Sequence, residues 1–329
     1  MQNRKLGAVA VPPIGFGCMN LSHAYGEPPP VSVGQAVLRT ALDLGITHFD
    51  CAALYGFGRN EELVGPYLQP HRDRIVLVSK CGLRGENGKR TLDGSPAALE
   101  RDLEASLKRL QTDRIDLYYL HRWDRKVPIE DSIGALSRFV SQGKVRDLGL
   151  SEVSAATLRK ANAVHPIAAV QSEFSLWSRN AEIGILDACA ELGVAFVAFS
   201  PLGRGFLTSV DLQPDQFAEK DLRRVMPRFQ EPNFARNRAL LIGFRQLAAE
   251  AGCTPAQLAL AWLLHRAPNI HVIPGTTSIA HLHENAGASK VTLSADIKTK
   301  LEELINVRTV SGPRYAAATQ AEIDTEEFG

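Results

Sequence analysis

Asp50 and Tyr55 lie in the stretch His48-Phe49-Asp50-Cys51-Ala52-Ala53-Leu54-Tyr55-Gly56, where a carboxylate ends an apolar segment and a phenol follows five residues on. A phenol can hand a proton to a carbonyl oxygen, but its ordinary pKa of about 10 suits neutral pH poorly without help. Read alone, Asp50 is a turn or helix cap and Tyr55 a half-buried packing residue. The pair becomes chemistry only if a cation and other polar groups reach the same place. Lys80, His121, Ser151 and Gln171 each stand at or just beyond the end of another apolar run, so the elements that carry them decide the matter.

Those elements alternate. Val11 to Met19 reads as a strand running into a loop, and Ser32, with Gln35 at N3, as the N-cap of a helix that Gly45 ends. Further strands are expected at Ile46 to Asp50, Ile75 to Lys80, Ile115 to Leu120, Val145 to Leu150, Ile167 to Gln171, Val194 to Phe199 and Ile270 to Pro274. Asn60 can cap a helix from Glu61 to Leu68, and Ser95-Pro96 opens one with Leu99, Leu103, Leu107 and Leu110 on one stripe. Helices follow over 129–142, 154–163, 181–192 and 234–251, then one from Thr254-Pro255 to His265. Two more, near 278–287 and 294–306, precede a polar tail. Residues 201–233 have glycine, proline and charge without a sustained period, and so read as a long loop of the kind that closes over ligands.

Eight strand-helix units without a composition break predict one α/β domain, a (β/α)8 TIM barrel over 1–329 with a long loop after strand seven and an extra C-terminal helix and tail. A doubly wound sheet is the alternative. It would want a dinucleotide fingerprint, and Gly15-x-Gly17, Gly56-x-Gly58 and Gly203-x-Gly205 all lack its third glycine.

The 329 residues are 45% hydrophobic and 22% charged, with a formal net charge of +1. That neutrality gives no footprint for nucleic acid or an acidic membrane, so a small molecule is the expected partner. Met1 to Lys5 leads to no secretory apolar region, the run Val194 to Phe199 is too short to cross a bilayer, and a cytoplasmic protein is expected. Five cysteines without a C-x-x-C suit reduced thiols, and His281-x-His283 on a helix would not converge, so no metal is expected.

In a barrel the active site lies at the carboxyl ends of the strands. Asp50, Lys80, His121, Ser151, Gln171 and Phe199-Ser200 are the residues there. Singly, Lys80 reads as a snorkelling lysine and His121 as a satisfied loop histidine. Together, Tyr55 is the expected proton donor. An ammonium about 4 Å away, at an effective dielectric near 20, could lower its pKa by about two to three units, and Lys80 is the candidate on an adjacent strand. Asp50 would act on the phenol in the opposite sense, so its expected work is to hold Lys80 charged. His121, as a neutral imidazole, can donate to the substrate oxygen.

These residues and the runs around them resemble the aldo-keto reductase superfamily over nearly the whole chain. The blocks are Gly45-x-x-x-Phe49-Asp50-x-Ala52-x-x-Tyr55-Gly56, Ser79-Lys80, Arg114-Ile115-Asp116-Leu117-Tyr118-x-Leu120-His121, Gly143-Lys144-Val145-Arg146-x-Leu148-Gly149-Leu150-Ser151 and Ser200-Pro201-Leu202-Gly203. Gly15-Phe16-Gly17-Cys18-Met19, Ser22-His23-Ala24-Tyr25-Gly26 and Leu202 to Leu207 look closest to the microbial and plant branch that includes pyridoxal reductases. The resemblance implies reduction of aldehydes or ketones by hydride from nicotinamide C4, with Asp50, Tyr55, Lys80 and His121 as the catalytic tetrad.

By the same resemblance, Gly17, Cys18, Met19 and Asp50 belong to the cofactor site, Ser151 and Gln171 hold the carboxamide, and Phe199 stacks on the nicotinamide. Ser200 to Leu207, with Pro201, Leu202, Gly203 and Gly205 among them, follow the pyrophosphate, backbone amides and Arg204 opposing its charge. Pro274, Gly275, Thr276 and Thr277, then His281, Glu284 and Asn285, meet the adenosine end. Gly275 and His281 stand where many members carry lysine and arginine, and Glu152 where asparagine is usual. NADP(H) is the expected cofactor, bound through Thr276, Thr277, Ser278 and a helix amino end, with NAD(H) open beside it. Tyr25, Phe57, His121, Trp123 and Trp177 are the expected substrate residues, with Met19 and Phe229 as further walls.

Two other readings compete: a cofactor-sensing subunit of the potassium-channel β type, which shares this fold, and an aldolase with Lys80 as a Schiff-base nucleophile. The complete tetrad favours the reductase, and an Asp50 that keeps Lys80 charged opposes the aldolase.

Overall fold

The computed structural model describes residues 2–22, 24–86 and 89–328; His23 of the Ser22 to Gly26 motif lies outside them. The chain opens with a hairpin that the sequence pattern did not announce, β1 (Arg4–Leu6) antiparallel to β2 (Val9–Val11). The repeating part follows as β3 (Phe16–Gly17), α1 (Val31–Asp43), β4 (His48–Asp50), α2 (Arg59–Leu68) and β5 (Val76–Cys81). A second antiparallel hairpin, β6 (Leu83–Glu86) and β7 (Lys89–Leu92), precedes α3 (Pro96–Leu110), β8 (Ile115–Leu120) and α4 (Ile129–Ser141). Then come β9 (Val145–Ser151), α5 (Ala155–Val164), β10 (Ile167–Glu173), α6 (Ile185–Leu192) and β11 (Ala195–Phe199). The remainder is α7 (Asn233–Glu250), α8 (Pro255–Leu264), β12 (Ile270–Val272), α9 (Ile279–Gly287), α10 (Ala295–Leu304) and α11 (Ala317–Gln320).

Eight strands run parallel in the order β3-β4-β5-β8-β9-β10-β11-β12. The ends meet through a parallel bridge between Ile14 and Val272, where Gly15 N donates to Val272 O at 2.9 Å and Val272 N to Pro13 O at 2.9 Å. This closure makes the sheet a (β/α)8 barrel. Gly17 and Gly275 let the seam close at its upper edge: a Cβ on Gly17 would stand 2.7 Å from Ile273 O, and one on Gly275 2.6 Å from Gly17 O.

Strand alternation sorts the side chains. Val76, Val78, Leu117, Tyr119, Ala169, Ala195 and Val197 form an inner cluster, closed from below by Leu6 and Val11 of the first hairpin. Arg4 fastens that plug by donating to Leu264 O and Ala267 O at 2.6 and 3.0 Å. The intervening residues, such as Phe49, Leu77, Tyr118 and Val170, pack outward against the helices. Asp50, Lys80, His121 and Gln171 share the inward parity, so the register that buries the core aims them into the barrel mouth.

Two expected caps are different in the structure. Helix α1 begins at Val31 behind Pro30 rather than behind Ser32, because Pro30 O already accepts from Val33 N and Gly34 N. Asn60 lies inside α2, fully buried, and donates to Cys18 O and Ser22 Oγ, both at 2.8 Å; left-handed Gly58 precedes the helix instead. The Thr254–Gln257 capping box forms as expected. The loop over 201–233 is irregular but for short 3-10 turns, such as Gly203–Gly205 and Leu222–Val225. Among the described residues, no single helix is long and apolar enough to cross a membrane.

Helices α2 and α3 touch at Gly65, where a Cβ would lie 2.3 Å from Leu110 Cα and 2.4 Å from its carbonyl oxygen. Both atoms are backbone, so neither can turn aside. Gly65→Ala should therefore destabilise the fold by about 1–3 kcal/mol, despite alanine's better helix propensity. Urea unfolding with an unchanged or higher midpoint would show that the two helices can separate without cost.

Candidate active site

Lys80 is wholly buried at the top of β5. Its ammonium donates to Asp50 Oδ1 at 2.5 Å, to Cys51 O at 3.0 Å and to Tyr55 Oη at 3.2 Å, which accounts for all three of its hydrogens. The second oxygen of Asp50 accepts from Gln171 Nε2 at 2.7 Å. Tyr55 comes from a tight turn, Tyr55–Gly58, in which Gly56, Phe57 and Gly58 all take positive φ. A Cβ on Gly56 would meet Ser22 O at 2.8 Å, so glycine there lets the turn fold back over the strand ends. The buried His121 ring stands edge-on to the Tyr55 ring, with centroids 5.9 Å apart.

The electrostatics correct one expectation. Burial pushes the Tyr55 phenol above its ordinary value; the Lys80 ammonium pulls it down, Asp50 pushes it up again, and the net direction is upward. Lys80 is as close as expected, but Asp50 sits nearer to the ammonium and takes up much of its field, while burial costs the phenolate its hydration. For Lys80 itself, burial lowers the pKa, yet Asp50 and Tyr55 outweigh it, so the amine stays charged. Burial, with help from the Arg122, Lys80 and Arg90 charges, lowers His121 well below the usual range and keeps it neutral.

These groups floor a cavity of about 690 Å³ at the carboxyl ends of the strands. Gly17, Met19, Ser151, Gln171 and Phe199 line it near Asp50, Tyr55 and His121. Ser200, Pro201, Leu202, Arg204 and Gly205 continue the wall beyond β11. Pro274, Gly275, Thr276 and Thr277 follow β12, and His281, Glu284 and Asn285 come from α9. Cys18, Gly203 and Leu207 are buried behind this wall rather than on it, and Lys80 lies beneath the floor.

Of the expected substrate walls, Tyr25, His121 and Met19 line the cavity and four aromatics, Phe57, Trp123, Trp177 and Phe229, do not. Phe57 is 53% exposed and lies over Gly85 of β6, outside the cavity. Trp123 packs against the core and donates Nε1 to Val127 O at 2.8 Å. Trp177 is buried and stacked on Phe206 with centroids 3.6 Å apart, and Phe229 packs on its edge at 5.9 Å. Trp123, Trp177 and Phe229 each found a packing partner that burial rewards more than an open wall, whereas Phe57 stays exposed.

The structure adds groups that sequence reading passed over. Arg90 of β7, Arg122 after β8, Arg223 in the long loop, and Tyr315 and Thr319 of the C-terminal tail all line the cavity. Arg204 is not free to face an anion unaided: it pairs with Glu173 at 2.7 Å and donates to Tyr315 Oη at 3.0 Å. Burial alone would raise the Glu173 carboxyl, but the Arg204 and Arg314 charges hold it at about 2. Glu152, where asparagine was the expected type, is buried against Arg314, so it serves the tail and not the cavity. Asp324 then ties the tail to α5, accepting from Ser154 Oγ at 3.0 Å and Thr157 Oγ1 at 2.7 Å. The only hint of these bonds was the mix of acids and Arg314 in the tail, whose partners are some 140 to 170 residues away.

Comparison with known proteins accords with this geometry. A model of the Aldo/keto reductase family matches residues 13–306. The "Aldo-keto reductase yakc [NADP(+)]" of Schizosaccharomyces pombe (strain 972) is 44% identical over 327 residues, covering 97% of this chain and 96% of that protein. Among solved structures, glycerol dehydrogenase AKR11B4 from Gluconobacter oxydans superposes with a TM-score of 0.85 at 29% identity, over 95% of this chain and 97% of that one. The holo form of aldo-keto reductase AKR11C1 from Bacillus halodurans gives 0.78 at 27% identity, over 93% and 97%. A closed eight-stranded barrel, with Asp50, Tyr55, Lys80 and His121 gathered at its mouth and a relative this similar along nearly its whole length, belongs to the aldo/keto reductase family of oxidoreductases.

Proposed function

We propose that this enzyme reduces aldehydes or ketones to alcohols with NADP(H), using one catalytic domain and Tyr55 as the proton donor. The observation that carries the proposal is the Tyr55 hydroxyl, protonated, at the cavity floor, 3.2 Å from a charged Lys80 and edge-on to a neutral His121. A proton leaving that hydroxyl would leave a phenolate beside an ammonium, which lowers the cost of transfer to the developing alkoxide. His121 would orient the carbonyl oxygen, and Asp50 would fix and charge Lys80.

The residues present suit a nicotinamide dinucleotide. The cavity runs from the tetrad to α9, and two buried polar atoms of its lining residues have no hydrogen-bond partner among the described residues, His121 Nδ1 at one end and Asn285 Oδ1 at the other. Gly17 and Gly275, whose backbones meet at the seam, contribute bare backbone to the wall between them. Ser151 and Gln171 would hold the carboxamide, Phe199 would face the ring, and Ser200 to Gly205 would follow the pyrophosphate. With no lysine at 275, Thr276, Thr277 and the amino end of α9 are the groups that would meet a 2′-phosphate. When bound, the cofactor supplies the hydride. The NADP(+) in the name of the fission-yeast relative favours NADP(H) over NAD(H). An aldolase using Lys80 is disfavoured, because an amine with all three hydrogens donated has no lone pair for attack.

Tyr55→Phe should lower kcat for aldehyde reduction by about 10²-fold or more while nucleotide affinity, read by fluorescence titration, moves less than about threefold; retained turnover would remove Tyr55 from the mechanism. An acid whose pKa is raised stays a competent donor until pH climbs through that raised value. The reduction rate should therefore not fall with rising pH anywhere below the ordinary phenol value of about 10. A decline centred near pH 7 would mean that the phenol is instead lowered. Lys80→Met should abolish reduction and cost about 3–5 kcal/mol by stranding Asp50. Adding Asp50→Asn should restore most of that stability but no activity, and equal recovery of both would contradict the assigned roles.

A further inference from the structure

One of the four guanidiniums that line the cavity is not consumed by a carboxylate of the described residues. Arg204 is paired with Glu173, Arg223 with Asp221 at 2.6 Å and Arg90 with Glu322 at 2.6 Å. Arg122 has no carboxylate partner among the described residues. Its Nη1 donates to His121 O at 2.6 Å and Ser151 Oγ at 3.0 Å, which pins the guanidinium between two residues of the mouth. Its Nε and Nη2 make no hydrogen bond to a described residue, so the fork that fits a carboxylate with two parallel bonds is left open. The Arg122 charge reaches the Tyr55 phenol and the His121 ring, and that of Arg90 reaches His121 as well.

Cofactor phosphates do not account for this fork. The stretches proposed for them follow β11 and β12, whereas Arg122 follows β8, with β9 and β10 intervening before β11 in the barrel order. Resting on the reductase reading above, we propose that Arg122, supported by Arg90, is a specificity-determining residue that selects carbonyl substrates bearing a carboxylate. The carboxylate would occupy the Nε–Nη2 edge while the carbonyl oxygen lies toward Tyr55 and His121.

The test compares 4-carboxybenzaldehyde with 4-methylbenzaldehyde, which have similar shape and differ in charge. With the full chain and NADPH, the carboxylate should be favoured by about tenfold or more in kcat/KM, and Arg122→Gln should cut that ratio at least tenfold, mostly through KM. Arg122→Lys should keep part of the preference as a point charge. A wild-type ratio near one, or an equal loss on both aldehydes in Arg122→Gln, would overturn the proposal, the latter by reducing Arg122 to a support for His121 and Ser151. Should the variants not fold, salt decides on the wild type: between about 0.05 and 0.5 M, KM for the carboxylate should rise several-fold and that for the methyl compound should not. Calorimetric titration of both compounds into the NADP+-loaded protein reads the same preference without turnover. A chain that reduces neither aldehyde thus fails the reductase reading while the carboxylate preference is still decided.

Discussion

A lysine with no contact to water has to be neutralised, and the way Lys80 is neutralised organises the mouth of this barrel. Its ammonium is shared between Asp50, Cys51 O and Tyr55, from the end of β4 and the turn beyond it. Removing two charges from water is expensive, and the pair is worth keeping only with good geometry and satisfied neighbours. Both conditions hold, since Gln171 from β10 takes the second carboxylate oxygen. The phenol is held by an ammonium that has nowhere else to donate.

The barrel supplies that geometry through parity. Residues that alternate inward along β5, Val76 and Val78, fill the lower core and are followed in the same register by Lys80. Leu117 and Tyr119 of β8 lead to His121 in the same way, and Ala169 of β10 leads to Gln171. A slip of one residue in any of these strands would send its polar end into the helix layer and its core residues into the mouth. Packing below therefore enforces chemistry above. The seam between β3 and β12, with Gly17 and Gly275 in near contact, extends the same rigidity to the cavity wall.

Much of this was legible in the sequence, because strand ends can be read from apolar runs and the barrel rule says what strand ends do. The eight barrel strands, most of the helices and the approach of Asp50, Tyr55, Lys80 and His121 emerged that way, but not the β1–β2 and β6–β7 hairpins. What escaped depended on partners far along the chain. Phe57, Trp123 and Trp177 look alike as open walls or packing residues until Gly85, Val127 O and Phe206 are placed beside them. Arg204 looked free for phosphate because Glu173 and Tyr315 lie on elements that only the fold brings near. The β1–β2 plug was hidden by its brevity, three residues a strand being too few for a period to register. The direction of the Tyr55 shift escaped for another reason: a distance to Lys80 could be guessed, but the competing costs of burial and of Asp50 could not.

Burial and Asp50 keep Tyr55 protonated beside a charged Lys80, as the proposed proton donor should be. Tyrosine labelled at its ring carbon Cζ reports ionisation by NMR, and the Tyr55 signal can be assigned among the six tyrosines by its loss in Tyr55→Phe. Titrated from neutral to alkaline pH, that signal should stay at the position of a neutral phenol beyond the ordinary value of about 10. A shift to the phenolate position near pH 7 or 8 would contradict the account and return to Lys80 the tuning role that Asp50 and burial deny it.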